Sequence, residues 1–397
     1  MSRFNRFGAL GSLAYLIAIS AIVGCSGHVD LGTSVAGEAP KPTTSAVETA
    51  AQTTSLVTLN TYFVSALASD DSYLYLAVSS RNYYPFEYYL QRCKKSDCLH
   101  TLTMLRNPMR DFGGLRQASG KLGWVSRDGF ALCNAPECPE TTVLDGVVVQ
   151  ANGVNSMPTW DNEVIIWPIP ADGAIYCCDM PRCVGGPKLV ASLTSDVALT
   201  LVDEYAYWLG NGALLRTSKT ETGTVEQLLL EAPQTTWVPY VHNNDRPNCG
   251  ASELAIDGPW VYAALLPMTN GACGSPCEDC DAGTDLVRWR RDDASAEREL
   301  ILVDDVDFHN RSFMQLFDGE IVWGSNDGNL WSCLAEDCAA TKRQFGVDGP
   351  IRSFDGGPTS SIVADDQFIY WLSASDTLQG MIQAKEWNLK RTPRLPK

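Results

Sequence analysis

The sequence has 397 residues, 14 cysteines, 30 Lys+Arg against 47 Asp+Glu, and a formal net charge of −17. Its 45% hydrophobic and 19% charged residues can form a large core, which excludes a disordered or fibrous chain. The acidity argues against a nucleic-acid partner, which needs dense Lys and Arg, and the cysteine count points to an oxidising, extracytoplasmic compartment.

Arg3 and Arg6 form a short basic region, and residues 7–24 carry no charge. This is the pattern of a signal peptide over 1–24. The ending Ile22-Val23-Gly24-Cys25 resembles the bacterial lipobox. That resemblance implies that Cys25 becomes an acylated N-terminus, palmitate being one such chain, with two or more chains giving stable membrane anchorage. The competing reading is an uncleaved signal-anchor helix, because 18 uncharged residues nearly span a bilayer. Ser26 after the cysteine resembles an outer-membrane sorting signal, so the expected location is the cell envelope, with the side of the membrane open. Residues 25–54 are rich in Ser, Thr, Ala and Pro without apolar periodicity, the composition of a flexible tether.

From residue 55 to 397 the chain repeats. An acidic or Gly-containing turn is followed by a short apolar strand, usually ending in an aromatic: DDSYLYL at 70–76, SGKLGWV at 119–125, DNEVIIW at 161–167, DEYAYWL at 203–209, DGPWVYA at 257–263, DGEIVWG at 318–324 and DDQFIYWL at 365–372. A strand precedes each block, and a third strand of the form apolar-x-x-Cys or an equivalent follows. The third strands expected are 90–93, 130–133, 175–178, 214–217, 287–290, 330–333 and 382–385, with a fourth strand in most copies. Four short strands per repeat of about 40–60 residues, without helical periodicity, predict an all-β fold, a seven-bladed β-propeller. Residues 55–59 match the fourth strand at 188–192 and are expected to close the ring against 381–387. The alternative is that 389–393 supplies the last blade's own fourth strand.

Four cysteine pairs share one spacing: Cys93/Cys98, Cys133/Cys138, Cys178/Cys183 and Cys333/Cys338. Each spans the turn from third to fourth strand, where facing Cβ atoms lie about 4.5–5.5 Å apart, close to disulfide geometry. A zinc site would need two close pairs converging, and these sit on separate blades. Cys177 is expected as a buried thiol. Cys249, Cys273, Cys277 and Cys280 suit a local disulfide framework better than a redox or zinc motif.

The strand two-to-three and blade-to-blade connections of a propeller emerge on one face. Four long insertions use those connections: 79–89, 231–250, 266–285 and 304–312. This inserted face is the expected binding face, since long loops are usually functional or disordered. Tyr83, Tyr84, Phe86, Tyr88 and Tyr89 could form an aromatic platform for a protein or glycan, or simply pack over the first blade. His242 and His309 are the histidines within the insertions. Glu278, Asp279, Asp281 and Asp285, or Asp304, Asp305 and Asp307, could ligate Ca²⁺, although neither run fits an EF-hand and solvated surface is the simpler reading. No catalytic set, resident metal or cofactor is indicated by motif.

The pattern in DEYAYW (203–208), DDQFIYW (365–371), DGFALCNAPEC (128–138) and DGNLWSCLAEDC (327–338) resembles bacterial lipoproteins with Cys-x4-Cys hairpin propeller repeats, a largely uncharacterised group. The fourth, fifth and seventh blades depart from it by lacking the cysteine hairpin. The resemblance implies fold and location, and no activity. Two functions follow: a membrane-anchored binding or scaffolding lipoprotein, which the residues favour, or a propeller hydrolase or lyase with a His/Asp/Glu site at the channel mouth.

Overall fold

The computed structural model describes residues 53–397 apart from several stretches, the longest being 80–86, 148–157, 193–198, 231–236, 240–253, 268–283, 347–361 and 376–385; Ala50–Lys397 form one compact unit. The described strands assemble into seven separate antiparallel sheets, six of four strands and one of five. In blade one these are Phe63–Ser69, Tyr73–Ser79, Glu87–Lys94 and Thr103–Arg110. Blade two uses Leu115–Ala118, Lys121–Ser126, Gly129–Asn134 and Thr141–Leu144, and blade three Thr159–Trp160, Val164–Ile169, Ala174–Asp179 and Lys188–Ser192. Blade four has Thr200–Val202, Tyr205–Gly210, Ala213–Ser218 and Val225–Leu230; blade six has Arg311–Phe317, Glu320–Ser325, Leu330–Leu334 and Arg343–Gly346.

Blade five comprises Leu254–Asp257, Trp260–Pro267, Thr284–Arg290 and Glu299–Asp305, with an extra strand Trp237–Pro239. Blade seven comprises Ile362–Ala364, Phe368–Ser375 and Glu386–Pro393, completed by Thr54–Leu59. The N-terminal strand therefore does lock the ring, with Thr54 opposite Arg391 and Leu59 opposite Trp387. Its partner is 386–393, not 381–387. The expected third strand at 382–385 lies outside the described residues, and 389–393 belongs to the third strand, not to a fourth. The repeat pattern anchors this blade on Ile382 because no cysteine marks the strand end there.

Hydrophobic packing closes the ring. Seven clusters of buried side chains each straddle one pair of neighbouring blades, from the seam between seven and one, which holds Leu76, Trp387 and Leu389, round to that between six and seven, with Val322 and Trp371. The strand-two tryptophans Trp124, Trp167, Trp208, Trp323 and Trp371 are 0–3% exposed, each against the preceding blade. Burying an aromatic side chain of this size contributes about 1.5–3 kcal/mol, so each seam adds substantially to stability. In blade five the position is Ala263, and Trp289 from strand three fills the seam instead. In blade one it is Leu76, supplemented by Trp387 of blade seven. Gly123 is required by the same packing: a Cβ there would stand 2.6 Å from the Trp160 ring.

All four Cys-x4-Cys pairs, Cys93–Cys98, Cys133–Cys138, Cys178–Cys183 and Cys333–Cys338, are disulfides with Cα separations of 4.7–5.0 Å. Their sulfurs do more than staple hairpins, because each pair is buried in the seam with the preceding blade. The second cysteine does not, as the spacing suggested, face the first across a pair of strands. Cys133 stands opposite Thr141, and both Cys138 and Cys183 lie in the turn ahead of their fourth strands, which begin at Thr141 and Lys188. The Cys138 N–H donates to the Asn134 carbonyl at 3.0 Å and the Cys183 N–H to that of Asp179 at 2.9 Å. Each bond closes a single helix-like turn that carries the second sulfur back over the strand end. The chain leaves that turn through the left-handed region, with φ of 47° at Cys138 and 54° at Cys183, a conformation uncommon for residues other than glycine. In blades one and six the second cysteine instead opens a one-turn helix, Cys98–Thr101 and Cys338–Thr341, capped by Asp97 and Asp337. The repeat pattern gave no sign of either kind of turn, since four residues are too few to display a helical period.

Candidate functional site

Strand direction assigns each connection to a face. Strand one runs into strand two through a turn of two or three residues, and that turn shares its face with the disulfide turns; the strand two-to-three and blade-to-blade connections leave from the opposite side. The four insertions therefore depart from one face, as the sequence indicated.

Two of them are joined. Trp237–Pro239, within 231–250, pairs antiparallel with strand two of blade five, Trp237 opposite Pro267 and Pro239 opposite Leu265. Leu254 then resumes opposite Ala263 on the same edge. The innermost strand line of blade five is thus interrupted between Pro239 and Leu254, and the insertions 231–250 and 266–285 share a backbone ladder at their bases. Sequence periodicity could not reveal a three-residue strand inside an insertion.

The expected aromatic platform divides. Tyr88 is 2% exposed, with its ring 5.5 Å from that of Phe112, so it is core between blades one and two. Tyr89 packs half-buried against the cluster of the preceding seam. Tyr83, Tyr84 and Phe86 lie outside the described residues, as do Cys25, His242, Cys249, Cys273, Cys277, Cys280 and His309. Of the acidic runs, Asp285 is 4% exposed within strand three of blade five. Asp304 and Asp305 close strand four, with side chains outside the described set. Glu278, Asp279, Asp281 and Asp307 fall outside it entirely. Among the described residues no three His, Cys, Asp or Glu side chains converge as metal ligands, and no helix is long and apolar enough to cross a membrane.

The stapled face carries a sevenfold repeat that the sequence reading missed. Two residues beyond the first-cysteine position, a backbone N–H donates to the turn between strands one and two of the same blade. The seven bonds are Lys95 to Ser72, Ala135 to Gly120, Met180 to Glu163, Lys219 to Glu204, Arg291 to Pro259, Ala335 to Gly319 and Arg394 to Gln367, at 2.7–3.0 Å. Where the residue is cationic, its side chain reaches the preceding blade. The Lys95 ammonium lies 3.0 Å from Asp365, Lys219 2.9 Å from Asp161, and the Arg291 guanidinium 2.8 Å from Asp203. Arg394 lies 3.0 Å from Glu320, which is fully buried and also receives Arg343 at 3.2 Å. The signal was available as a Lys or Arg two places after the first-cysteine position, facing an acidic turn about one blade back.

Electrostatics at these clasps follows from partial burial. For Asp161, desolvation acts to raise the pKa, but the Lys219 ammonium and the backbone N–H groups of Glu163 and Val164 together hold it below the usual carboxylate range. Asp365 is lowered in the same way, against desolvation, by the N–H groups of Gln367 and Phe368, the Tyr370 hydroxyl and Lys95. The bond to Asp161 raises Lys219. Cys177 is the buried free thiol the sequence suggested, its pKa pushed up by desolvation. It occupies the position at which Arg92, Arg216, Arg288 and Arg391 stack on Tyr73, Tyr205, Trp260 and Phe368 in other blades. In blade three the ring position is Val164, so a cation there would have no face to stack on.

No protein-family profile matches the chain, and no curated protein matches it in sequence. Solved structures do match its fold. An oligogalacturonate lyase in complex with manganese superposes with a TM-score of 0.53 at 13% identity, over 88% of this chain and 95% of that one. A catalytically inactive virginiamycin B lyase variant from Staphylococcus aureus with quinupristin gives 0.48 at 11% identity, over 87% and 99%. The computationally designed Ika8 protein gives 0.46 at 13% identity, over 86% and 98%. At these identities the likeness extends to the propeller fold alone, and the four disulfides fit an oxidising, extracytoplasmic environment.

Proposed function

We propose that this protein is a lipid-anchored binding or scaffolding module of the cell envelope, held by an acylated Cys25 and engaging a protein or glycan through its inserted face. The observation that carries this reading is the joined base of insertions 231–250 and 266–285 beside the innermost strand of blade five. Long insertions set on one rigid face form the usual arrangement of a recognition surface on a propeller scaffold. The opposite face carries the disulfide turns and the clasps. Cys25 is followed by enough tether to hold the ring away from an anionic bilayer, which repels a chain of this charge.

The test is affinity capture from the native envelope with the full chain and with a Tyr83/Tyr84/Phe86→Ser variant. Loss of specific partners at unchanged Tm is expected. Identical partners from both would remove the aromatic segment from the interface. Labelling with an alkynyl palmitate analogue should mark the wild type and spare Cys25→Ala; equal labelling of the two would remove the anchor.

A further inference from the structure

The first strands of the blades surround the axis, and register aligns them level by level. One residue before the strand-two tryptophan position, the opposing first-strand residues are Ala68, Arg116, Thr159, Thr200, Ala255, Gln315 and Val363. This level holds one charge and no carboxylate. The level above, toward the inserted face, includes Leu67, Leu115, Leu199, Leu254, Met314 and Ile362, all buried, and supplies no counterion.

Among the described residues Arg116 has no side-chain hydrogen bond or ion-pair partner; its one contact of note is the Trp160 ring, 6.0 Å from the guanidinium carbon. Protein surrounds it closely enough that desolvation pulls its pKa below the usual guanidinium range, with no neighbouring charge opposing the shift. Even so, the residue keeps part of its surface accessible. Arg116 therefore stands at the inner edge of blade two, beside the Trp160 ring that fills the seam with blade three, and is still partly open to solvent. The other cations set into the seams, Lys95, Lys219, Arg291 and Arg394, each have a carboxylate. Leaving a charge desolvated without one is costly, and a planar fork of N–H donors is the shape that grips a carboxylate or phosphate through two parallel bonds.

We propose that Arg116 anchors a binding site for a small oxyanion, carboxylate or phosphate, on the propeller axis. The ligand reaches it from the stapled face, because Arg116 stands three residues before the Ser119–Gly120 turn. This site is independent of the partner surface on the inserted face. At the same level Thr159 and Gln315 offer further donor groups, while the Thr200 hydroxyl already donates to the Leu254 carbonyl.

The test uses the full chain in non-ionic detergent, titrated with inorganic phosphate or acetate against chloride at constant ionic strength. Binding is read from ³¹P line broadening and from Tm. Saturable, phosphate-specific broadening and a rise in Tm are expected for the wild type. Arg116→Gln should weaken binding by at least about tenfold. In anion-free buffer it should match or exceed the wild-type Tm, because an unpaired buried charge has been removed. Arg116→Lys, which keeps the charge and loses the fork, should bind with intermediate affinity. The site is refuted if phosphate and chloride act alike on the wild type, or if Arg116→Gln binds phosphate as before. A lower Tm for Arg116→Gln without anion also refutes it, since that would make the residue structural.

Discussion

Two kinds of seam hold the blades together. Those between blades one and two, two and three, and five and six bury a disulfide, and the residue two places beyond its first cysteine is Ala135, Met180 or Ala335. Those between three and four, four and five, and six and seven have Thr217, Trp289 or Thr392 at the cysteine position, followed by Lys219, Arg291 or Arg394 clasped to the preceding blade. The replacements also tie the strand end down. Thr217 donates to the Thr224 carbonyl at 2.8 Å, Trp289 is buried in the seam, and Thr392 meets the Thr53 hydroxyl at 2.9 Å. The seam between seven and one has both devices, Cys93–Cys98 and Lys95–Asp365. A common backbone bond fixes the geometry in every blade. What varies is whether the seam is filled by sulfur or bridged by charge.

The largest effect should come from the most buried clasp. Glu320→Ala leaves Arg343 and Arg394 without their shared carboxylate, and about 3–5 kcal/mol of stability should be lost in urea denaturation. A loss below about 1 kcal/mol would show that the seam between six and seven does not depend on charge. On the sulfur side, Cys93→Ala with Cys98→Ala should lose about 2 kcal/mol, the chain-entropy value for so short a loop. Because these two cysteines are 0–2% exposed, a thiol reagent should leave the wild-type disulfide intact until the ring unfolds. Rapid reduction in native buffer would contradict the burial. Lys219→Met should cost less, about 1 kcal/mol, since Asp161 retains partial exposure and can hydrate.

The two seams should also part company in acid. The folded pKa values of Asp161 and Asp365 are depressed, so their contribution is present above the unfolded carboxylate value near about 4 and is lost as pH falls through the lower folded values. Lys219 is raised, so its contribution is complete below the ordinary lysine value and is lost only as pH rises through the higher folded one. Thermal unfolding between pH 6 and about 2 should therefore show an acid-dependent loss that is smaller in Asp161→Asn and unchanged by Cys93→Ala/Cys98→Ala. Equal acid sensitivity of all three proteins would place the titration elsewhere.

Much of this architecture was legible as period and spacing. The repeated turn–strand–aromatic block gave seven blades, and Cys-x4-Cys gave the four bridges, because each is a local pattern within one blade. The turn geometry at Cys138 and Cys183 was not legible, since a helix-like turn and a plain hairpin accept the same spacing. The clasps escaped notice because Lys219 and Asp161 are 58 positions apart and belong to different repeats. Arg116 gave no signal either: it is a lone basic residue in LRQA, and only the ring of first strands reveals that no acid shares its level. Blade five held two features that the repeat pattern did not show. Its tryptophan moved from strand two to strand three, at Trp289, and its innermost strand line is split by an insertion. The candidate face was readable as loop length alone, while Tyr88, drawn into the core by Phe112, could not be distinguished from its exposed-looking neighbours by composition.

The N-terminal strand that seals the ring begins at the stapled face and runs toward the inserted one, its hydrogen bonds to Glu386–Pro393 lying across its length. A pull arriving through residues 50–53 and resisted at the far face acts along that strand. It loads the rungs from Thr54–Arg391 to Leu59–Trp387 together, in shear, instead of peeling them one at a time. Thr53, bonded to the Phe345 carbonyl and the Thr392 hydroxyl, stands ahead of the first rung. The closure of the propeller is therefore also its mechanical clamp.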